Sequence, residues 1–101
     1  GAEQLVLFEV EEAYRNLRVA ESALEALDNS FRITRQWLLD EQLNFDLDLG
    51  DTENLVRAVQ SKLTTEAGYY EAIQRYNVAV LRLLAATGTL VGQASAGTLV
   101  D

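Results

Sequence analysis

The sequence contains no cysteine, histidine, proline or methionine. Without cysteine it can form neither disulfides nor thiolate metal sites. Without histidine it lacks the commonest metal ligand and the commonest general base. We therefore expect a protein that is not an enzyme, with no catalytic residue, no cofactor and no metal.

Basic residues are also few, with eight Lys and Arg against sixteen Asp and Glu and a formal net charge of -8. Binding to nucleic acid requires cations that displace counterions from phosphates, and an anionic membrane surface attracts basic segments. Neither partner is expected here. No run approaches the ~18 apolar residues of a membrane-spanning helix, and no signal peptide is visible. The chain begins Gly-Ala-Glu, so we expect a soluble fragment or processed product of a larger protein.

What the sequence does contain favours helix. Nearly half of the residues are apolar, and Ala, Leu, Val, Glu and Gln dominate. Most of these side chains lose little rotamer freedom in a helix, and no proline interrupts the backbone ladder. The composition predicts an all-α fold.

The first half carries apolar residues spaced alternately four and three apart, which is the period of a coiled coil. This first seam of the N-terminal helix comprises Val6, Val10, Ala13, Leu17, Ala20, Leu24, Leu27, Phe31, Thr34, Leu38, Glu41 and Phe45. A second seam lies next to it and comprises Val19, Ala23, Ala26, Ser30, Ile33 and Trp37.

The second half repeats this arrangement. One stripe comprises Val56, Val59, Leu63, Tyr70, Ile73, Val80 and Leu84, and the adjacent one Leu55, Ala58, Tyr69, Ala72, Tyr76, Ala79, Leu83 and Ala86. The pattern predicts helices over about 3–46 and 52–86 joined by a turn at 47–51. Helices joined by so short a turn lie antiparallel, so residues 1–88 are expected to form one coiled-coil hairpin.

The ends of the helices have chemical signals. Gly50 can adopt the left-handed conformation that stops the first helix, and Asp51 or Thr52 can cap the second. Gly88 is expected to end the second helix. The sequence predicts that 89–101 form a loop or a disordered tail.

A helix with two seams needs neighbours on two sides, whereas a lone hairpin supplies one. We therefore expect the chain to self-associate into a larger helical bundle or a trimer. The residues expected to pack helix against helix are Leu17, Leu24, Phe31, Trp37, Leu63, Tyr70, Ile73, Tyr76 and Val80.

The turn is acidic and could be a metal loop, a carboxylate cluster or a solvated tip. Asp46, Asp48 and Asp51 surround Gly50, but an EF-hand loop requires glycine at its sixth position and a bidentate Glu at its twelfth. Here glycine is fifth and the twelfth residue is Arg57. Di-iron bundles use Glu-x-x-His pairs, which this chain cannot form. A solvated tip is the favoured interpretation, and an acidic metal-binding bundle is a remote alternative.

The ordered set Phe45, Gly50, Leu55-Val56, Tyr69-Tyr70, Tyr76 and Leu84 to Gly88 resembles the second half of the TolC-like outer-membrane efflux channel family. The preceding long helix, with its Ala-x-x-x-Leu rhythm, is similar to the incoming helix of that family. The resemblance spans most of the chain.

The resemblance implies a segment of a trimeric channel for drug efflux or type I secretion in the outer membrane of a Gram-negative bacterium. The hairpin would form part of its periplasmic α-helical tunnel, and the tip would dock a periplasmic adaptor (membrane fusion) protein. The implied docking residues are Phe45, Leu47, Leu49, Gly50, Asp51 and Thr52. Some family members have a basic residue where this chain has Thr52, so the resemblance does not carry a basic gating contact over to this position. A free-standing helical-hairpin scaffold or an adaptor's coiled-coil arm is the alternative.

Overall fold

In a computed structural model the chain is all-α and consists of two long helices. The structure describes the backbone of residues 1–100 and the side chains as far as Ser95. Helix α1 runs over Ala2–Asp46 and helix α2 over Thr52–Val100. The model divides into two compact units. The turn unit is Ala23–Ile73, and the terminal unit comprises Gly1–Ser22 with α2 from Gln74 onward.

The least exposed face of α1 coincides with the first seam predicted from the sequence. Members of that seam from Val6 to Glu41 are buried or half-buried, whereas Phe45 at its end is exposed. Burial therefore follows the spacing of four and three residues that brings one stripe of a helix against a partner helix. We call this stripe the inner seam of α1.

In the turn unit the two helices pair antiparallel, because residues nearer the start of α1 meet residues further along α2. The hydroxyl oxygens of Thr34 and Thr65 lie 2.6 Å apart. One turn earlier on α1, the ring of Phe31 lies 5.5 Å from that of Tyr69, measured between centroids. These contacts confirm the predicted helical hairpin.

The most deeply buried residues on the face of α2 toward α1 are small. Ala58 is fully buried, and Ala72 retains only 4% of its exposure. A Cβ added at Gly68 would lie 3.7 Å from Cδ2 of Leu27, an ordinary van der Waals contact. Small residues on one helix admit the larger side chains of its neighbour, as interlocking packing requires. The inner seam of α2 comprises Leu55, Ala58, Lys62, Thr65, Tyr69 and Ala72 in this unit.

In the terminal unit, the buried residues among those described are Val6 on α1 and Ala79 on α2. Val10, Leu17 and Leu83 are half-buried. The spacing of the inner seams therefore continues in this unit.

The end of α2 corrects the sequence prediction. The helix continues through Gly88 to Val100. It therefore passes the expected end near residue 86 and includes most of the segment 89–101, which was expected to be a loop or a disordered tail. Asp101 lies outside the described residues. No described glycine has a positive φ, so Gly88 sits in the helix at a cost of only about 1 kcal/mol relative to Ala. Thr87 and Thr89 donate hydroxyl hydrogen bonds to the carbonyls of Leu83 and Ala85, at 2.9 and 3.0 Å.

Candidate protein-interaction site

The end of α1 is closed by backbone hydrogen bonds of the Schellman type. The N–H of Leu49 donates to the carbonyl of Asn44 at 2.8 Å, and the N–H of Asp48 donates to that of Phe45 at 3.1 Å. Asp48 itself adopts the left-handed conformation, with a φ of 60°. These bonds satisfy carbonyl groups that a helix C-terminus otherwise leaves without partners.

The sequence prediction placed the left-handed residue at Gly50, and this was wrong. Gly50 has no positive φ; its N–H donates to the carbonyl of Asn44 at 3.1 Å. A Cβ added at Gly50 would lie 3.1 Å from Cβ of Asn44 and 3.3 Å from the backbone nitrogen of Phe45. Glycine is favoured there because the chain passes close to the last turn of α1. Aspartate tolerates the left-handed region better than most residues, and this was the only signal for Asp48 in the sequence.

The start of α2 is capped by Asp51. Its Oδ1 accepts a hydrogen bond from the backbone N–H of Asn54 at 2.7 Å, the geometry of an N-cap residue. The sequence left the cap open between Asp51 and Thr52, and the structure assigns it to Asp51. One turn into the helix, the guanidinium of Arg57 lies 2.6 Å from the carboxylate of Glu53.

The apolar side chains of the tip point into solvent. Phe45, Leu47 and Leu49 are 45, 57 and 76% exposed. Asp51 and Thr52 are exposed, and Gly50 is half-buried. The predicted docking residues are therefore brought together in one turn, five of them accessible, and their docking role stays a prediction.

Two carboxylates of α1 near the turn, those of Asp40 and Glu41, have partners on their own helix. Asp40 accepts a hydrogen bond from the amide of Gln36 at 3.0 Å, and Glu41 accepts one from the indole N–H of Trp37 at 3.3 Å. No group of three or more carboxylates suited to a metal ion occurs among the described side chains. Nothing in the described geometry favours the metal-binding alternative over a solvated tip.

The described part of the chain has few buried apolar residues and many exposed large ones. Among the described side chains the buried residues are Val6, Ala58, Ala72 and Ala79. As far as Ser95, twenty large apolar side chains are exposed, including Leu49 at 76%. Apolar side chains exposed side by side along a helix are typical of an interaction site.

On α2 the exposed apolar residues of the turn unit form a stripe beside the inner seam, which we call the α2 outer seam. It comprises the exposed Val56, Val59, Leu63 and Tyr70, and the half-buried Glu66 and Ile73 continue the same spacing. Leu63 and Tyr70 are 57 and 59% exposed. The ammonium of Lys62 lies 3.0 Å from the carboxylate of Glu66, so the one acidic member of this seam is paired with a neighbour on its own helix.

On α1 a corresponding α1 outer seam lies beside the inner seam. In the turn unit it comprises Ala23, Ala26, Ser30, Ile33 and Trp37. Ile33 is 69% and Trp37 36% exposed. This seam combines small residues toward its start with two large ones toward the turn.

The predicted packing residues divide between these surfaces. Leu17, Leu24, Phe31, Ile73, Tyr76 and Val80 are half-buried, whereas Trp37, Leu63 and Tyr70 are exposed. The sequence missed two contacts of the hairpin, the Thr34–Thr65 pair and the approach of Leu27 to Gly68. In the sequence, Thr34 is a polar member of the otherwise mostly apolar first seam, which does not predict a hydrogen bond to the other helix.

Comparison of the chain with protein-family models, curated proteins and solved structures gives no match. Contrary to the expectation that no run approaches a membrane-spanning helix, one segment of the described chain, Thr52–Ser95, includes a stretch that is long and apolar enough to cross a membrane by length and composition. Core helices of soluble proteins meet the same criterion of length and composition.

Proposed function

We propose that this chain is a structural and protein-binding module, a helical hairpin that functions by packing its outer seams against other helices. The observation that carries this proposal is the contrast, among the side chains that the structure describes, between four buried residues, three of them alanine, and twenty exposed large apolar ones. A domain that functioned alone would leave this surface in water, where it favours association.

More specifically, we propose that the hairpin belongs to a TolC-like outer-membrane channel, as part of its periplasmic α-helical tunnel. The supporting features are the heptad spacing, the two seams on each helix and a turn that presents Phe45, Leu47 and Leu49 to solvent. Each helix of a tunnel wall contacts two neighbours, which is the arrangement that two seams supply. In this proposal the parent channel is a trimer and the turn docks a periplasmic adaptor protein.

The oligomeric state of the chain tests the general proposal. We expect sedimentation velocity to show species larger than a monomer at tens of micromolar. A chain that stays monomeric at hundreds of micromolar would contradict assembly through the outer seams.

The channel proposal is tested by changing the tip in the full-length parent protein. Leu49→Asp places a charge on the most exposed apolar side chain of the turn, and we expect it to weaken adaptor binding and efflux. Gln42→Asp, on an exposed polar position of the same helix, is the matched control. Equal efflux in both variants at equal channel abundance would rule out docking through this residue.

A free-standing hairpin scaffold, such as the coiled-coil arm of an adaptor, is the second candidate. It is favoured by the turn, which is closed by backbone hydrogen bonds to Asn44 and by the Asp51 cap. The parent gene distinguishes the two candidates, because a channel requires a second helical hairpin and intervening membrane strands.

A further inference from the structure

The last part of α2 differs from the rest of the helix in its lack of charge. From Glu53 to Arg82 at most six residues separate one charged residue from the next, whereas the 18 residues 83–100 contain no Asp, Glu, Lys or Arg. We call 83–100 the uncharged segment. At 1.5 Å per residue its length is about 27 Å, close to the ~30 Å hydrocarbon core of a bilayer. Arg82 and Asp101 flank it, so a charge stands at each end, where the headgroups of a bilayer would begin.

The hairpin leaves the described part of this segment uncovered. No side chain from Leu83 to Ser95 is buried, and Leu84 and Val91 are 61 and 64% exposed. The stretch of α2 that is apolar enough to cross a membrane is only 6% buried, whereas the core helix of a soluble protein is mostly buried. It also follows α1 and the charged part of α2, whereas a secretory signal sequence stands at the N-terminus. Neither of these two common explanations fits the segment.

The polar groups of the segment make few demands on their surroundings. A helix in lipid has to satisfy its polar groups internally. The hydroxyl of Thr87 donates to the carbonyl of Leu83 at 2.9 Å, and that of Thr89 donates to the carbonyl of Ala85 at 3.0 Å. The one amide side chain is Gln93, whose Oε1 has no hydrogen-bond partner among the described residues. Separation from α1 therefore breaks no hydrogen bond of that oxygen.

The facing part of α1 is unsuited to lipid. In the terminal unit α1 carries four exposed glutamates, Glu3, Glu9, Glu11 and Glu12, and charged carboxylates are costly inside a bilayer. The two helices are also joined there by little burial, since Val6 and Ala79 are the buried residues of this unit among those described. The end of α2 can therefore leave α1 while uncovering little apolar surface.

We infer that the uncharged segment enters a lipid bilayer as a single helix, while α1 remains in water. Lipid is the occupant because charge is absent from every side of the segment, whereas a helix that packs on a protein surface needs an apolar face only toward its partner. The inference goes beyond the proposed function, because it concerns lipid and the terminal unit rather than other helices and the outer seams.

The first experiment measures flotation of the whole chain with phosphatidylcholine vesicles after detergent dialysis. An uncharged headgroup is used because the net charge of -8 opposes binding to an anionic surface. Val91→Glu places a charge near the middle of the uncharged segment. Val56→Glu makes the same change at an exposed position of the α2 outer seam and is the control. Circular dichroism measures helix content, and Val91→Gln replaces Val91→Glu if that variant fails to fold.

We expect the unmodified chain and Val56→Glu to float with the vesicles and Val91→Glu to require roughly a hundredfold more lipid. An unmodified chain that does not float would overturn the inference. Equal flotation of all three chains, or equal losses in both variants, would also overturn it, because binding would then not depend on this segment. These results leave the proposed assembly untouched, since sedimentation without lipid tests that separately.

The second experiment distinguishes entry into the bilayer from adsorption on its surface. The chain has no cysteine, so Val91→Cys and Leu49→Cys each carry a single nitroxide label. Electron paramagnetic resonance with oxygen and a nickel chelate measures the depth of each label. We expect the label at position 91 to lie in the hydrocarbon core and the label at position 49, in the turn, to lie in water. A label at position 91 that lies at headgroup depth would overturn entry.

Discussion

Thr34 and Thr65 form a hydroxyl–hydroxyl contact across the hairpin, with their Oγ1 atoms 2.6 Å apart. Each hydroxyl also contacts a carbonyl of its own helix, that of Phe31 for Thr34 and that of Ser61 for Thr65. The pair thus joins two helices by side chains that would otherwise bond only locally. It fixes the register of α1 against α2 in the turn unit.

We expect Thr34→Val and Thr65→Val each to lower the free energy of unfolding by about 1 kcal/mol, because each removes one part-buried hydrogen bond. The double variant should lose less than the two single losses together, by roughly 0.5–1 kcal/mol, since both changes remove the same bond. Urea unfolding followed by helix content measures all three. Thr64→Val, at an exposed position beside the pair, is the control, and additive losses would contradict the cross-helix bond.

Replacing Asp48 by glycine should stabilise the protein. An L-residue in the left-handed region costs roughly 1–2 kcal/mol, and a carboxylate near a helix C-terminus is unfavourable with respect to the helix dipole. We expect Asp48→Gly to raise the free energy of unfolding by about 1 kcal/mol. Asp46→Gly, inside the last turn of α1, should instead lower it. A loss of stability at both positions would contradict the left-handed assignment.

Two glycines should respond to alanine in opposite directions. At Gly50 an added Cβ would meet Asn44 at 3.1 Å, whereas at Gly88 it would meet nothing within 4 Å. We expect Gly50→Ala to cost about 1 kcal/mol, as overpacking does, with a larger loss for Gly50→Val. Gly88→Ala should stabilise by about 0.5–1 kcal/mol, because alanine is the better helix former. Thermal unfolding of the three variants measures the difference, and destabilisation at Gly88 would argue against helix continuing there.

The cap of α2 should depend on the side-chain oxygen of Asp51. Asp51→Ala removes the acceptor for the N–H of Asn54 and should lower the free energy of unfolding by about 1 kcal/mol. Asp51→Ser and Asp51→Asn keep an acceptor and should lose little. If all three variants lose the same amount, the negative charge rather than the cap geometry stabilises this end.

The hairpin was predictable because its signal is repeated along the whole chain. The spacing that contains Leu24, Phe31 and Leu38 recurs in every heptad, so single polar interruptions such as Thr34 do not obscure it. The position of the turn was predictable, but the residue that adopts the left-handed conformation was not. Glycine is the residue most often found in the left-handed conformation, yet here Asp48 adopts it. Gly50 instead lies close to Asn44, a contact that the local sequence does not reveal.

The end of α2 was missed for a related reason. Gly88 is a common helix stop, but a stop requires a left-handed residue or a competing bond, and neither occurs there. The choice of inner and outer seam could not be made either, because both stripes of α2 are apolar. It depends on which stripe leaves room for Phe31 and Leu27, and the alanines at Ala58 and Ala72 settle that once the helices are paired.

The buried alanines of α2, Ala58 and Ala72, also determine where the protein can change during evolution. Ala58 has no exposed surface and Ala72 almost none, so even one added methylene there pushes the helices apart along several turns. Large residues at Leu63 or Tyr70 can be exchanged without disturbing the hairpin. The hairpin itself therefore constrains the smallest side chains of α2, whereas the large exposed ones are constrained through the helices that the outer seams are proposed to contact.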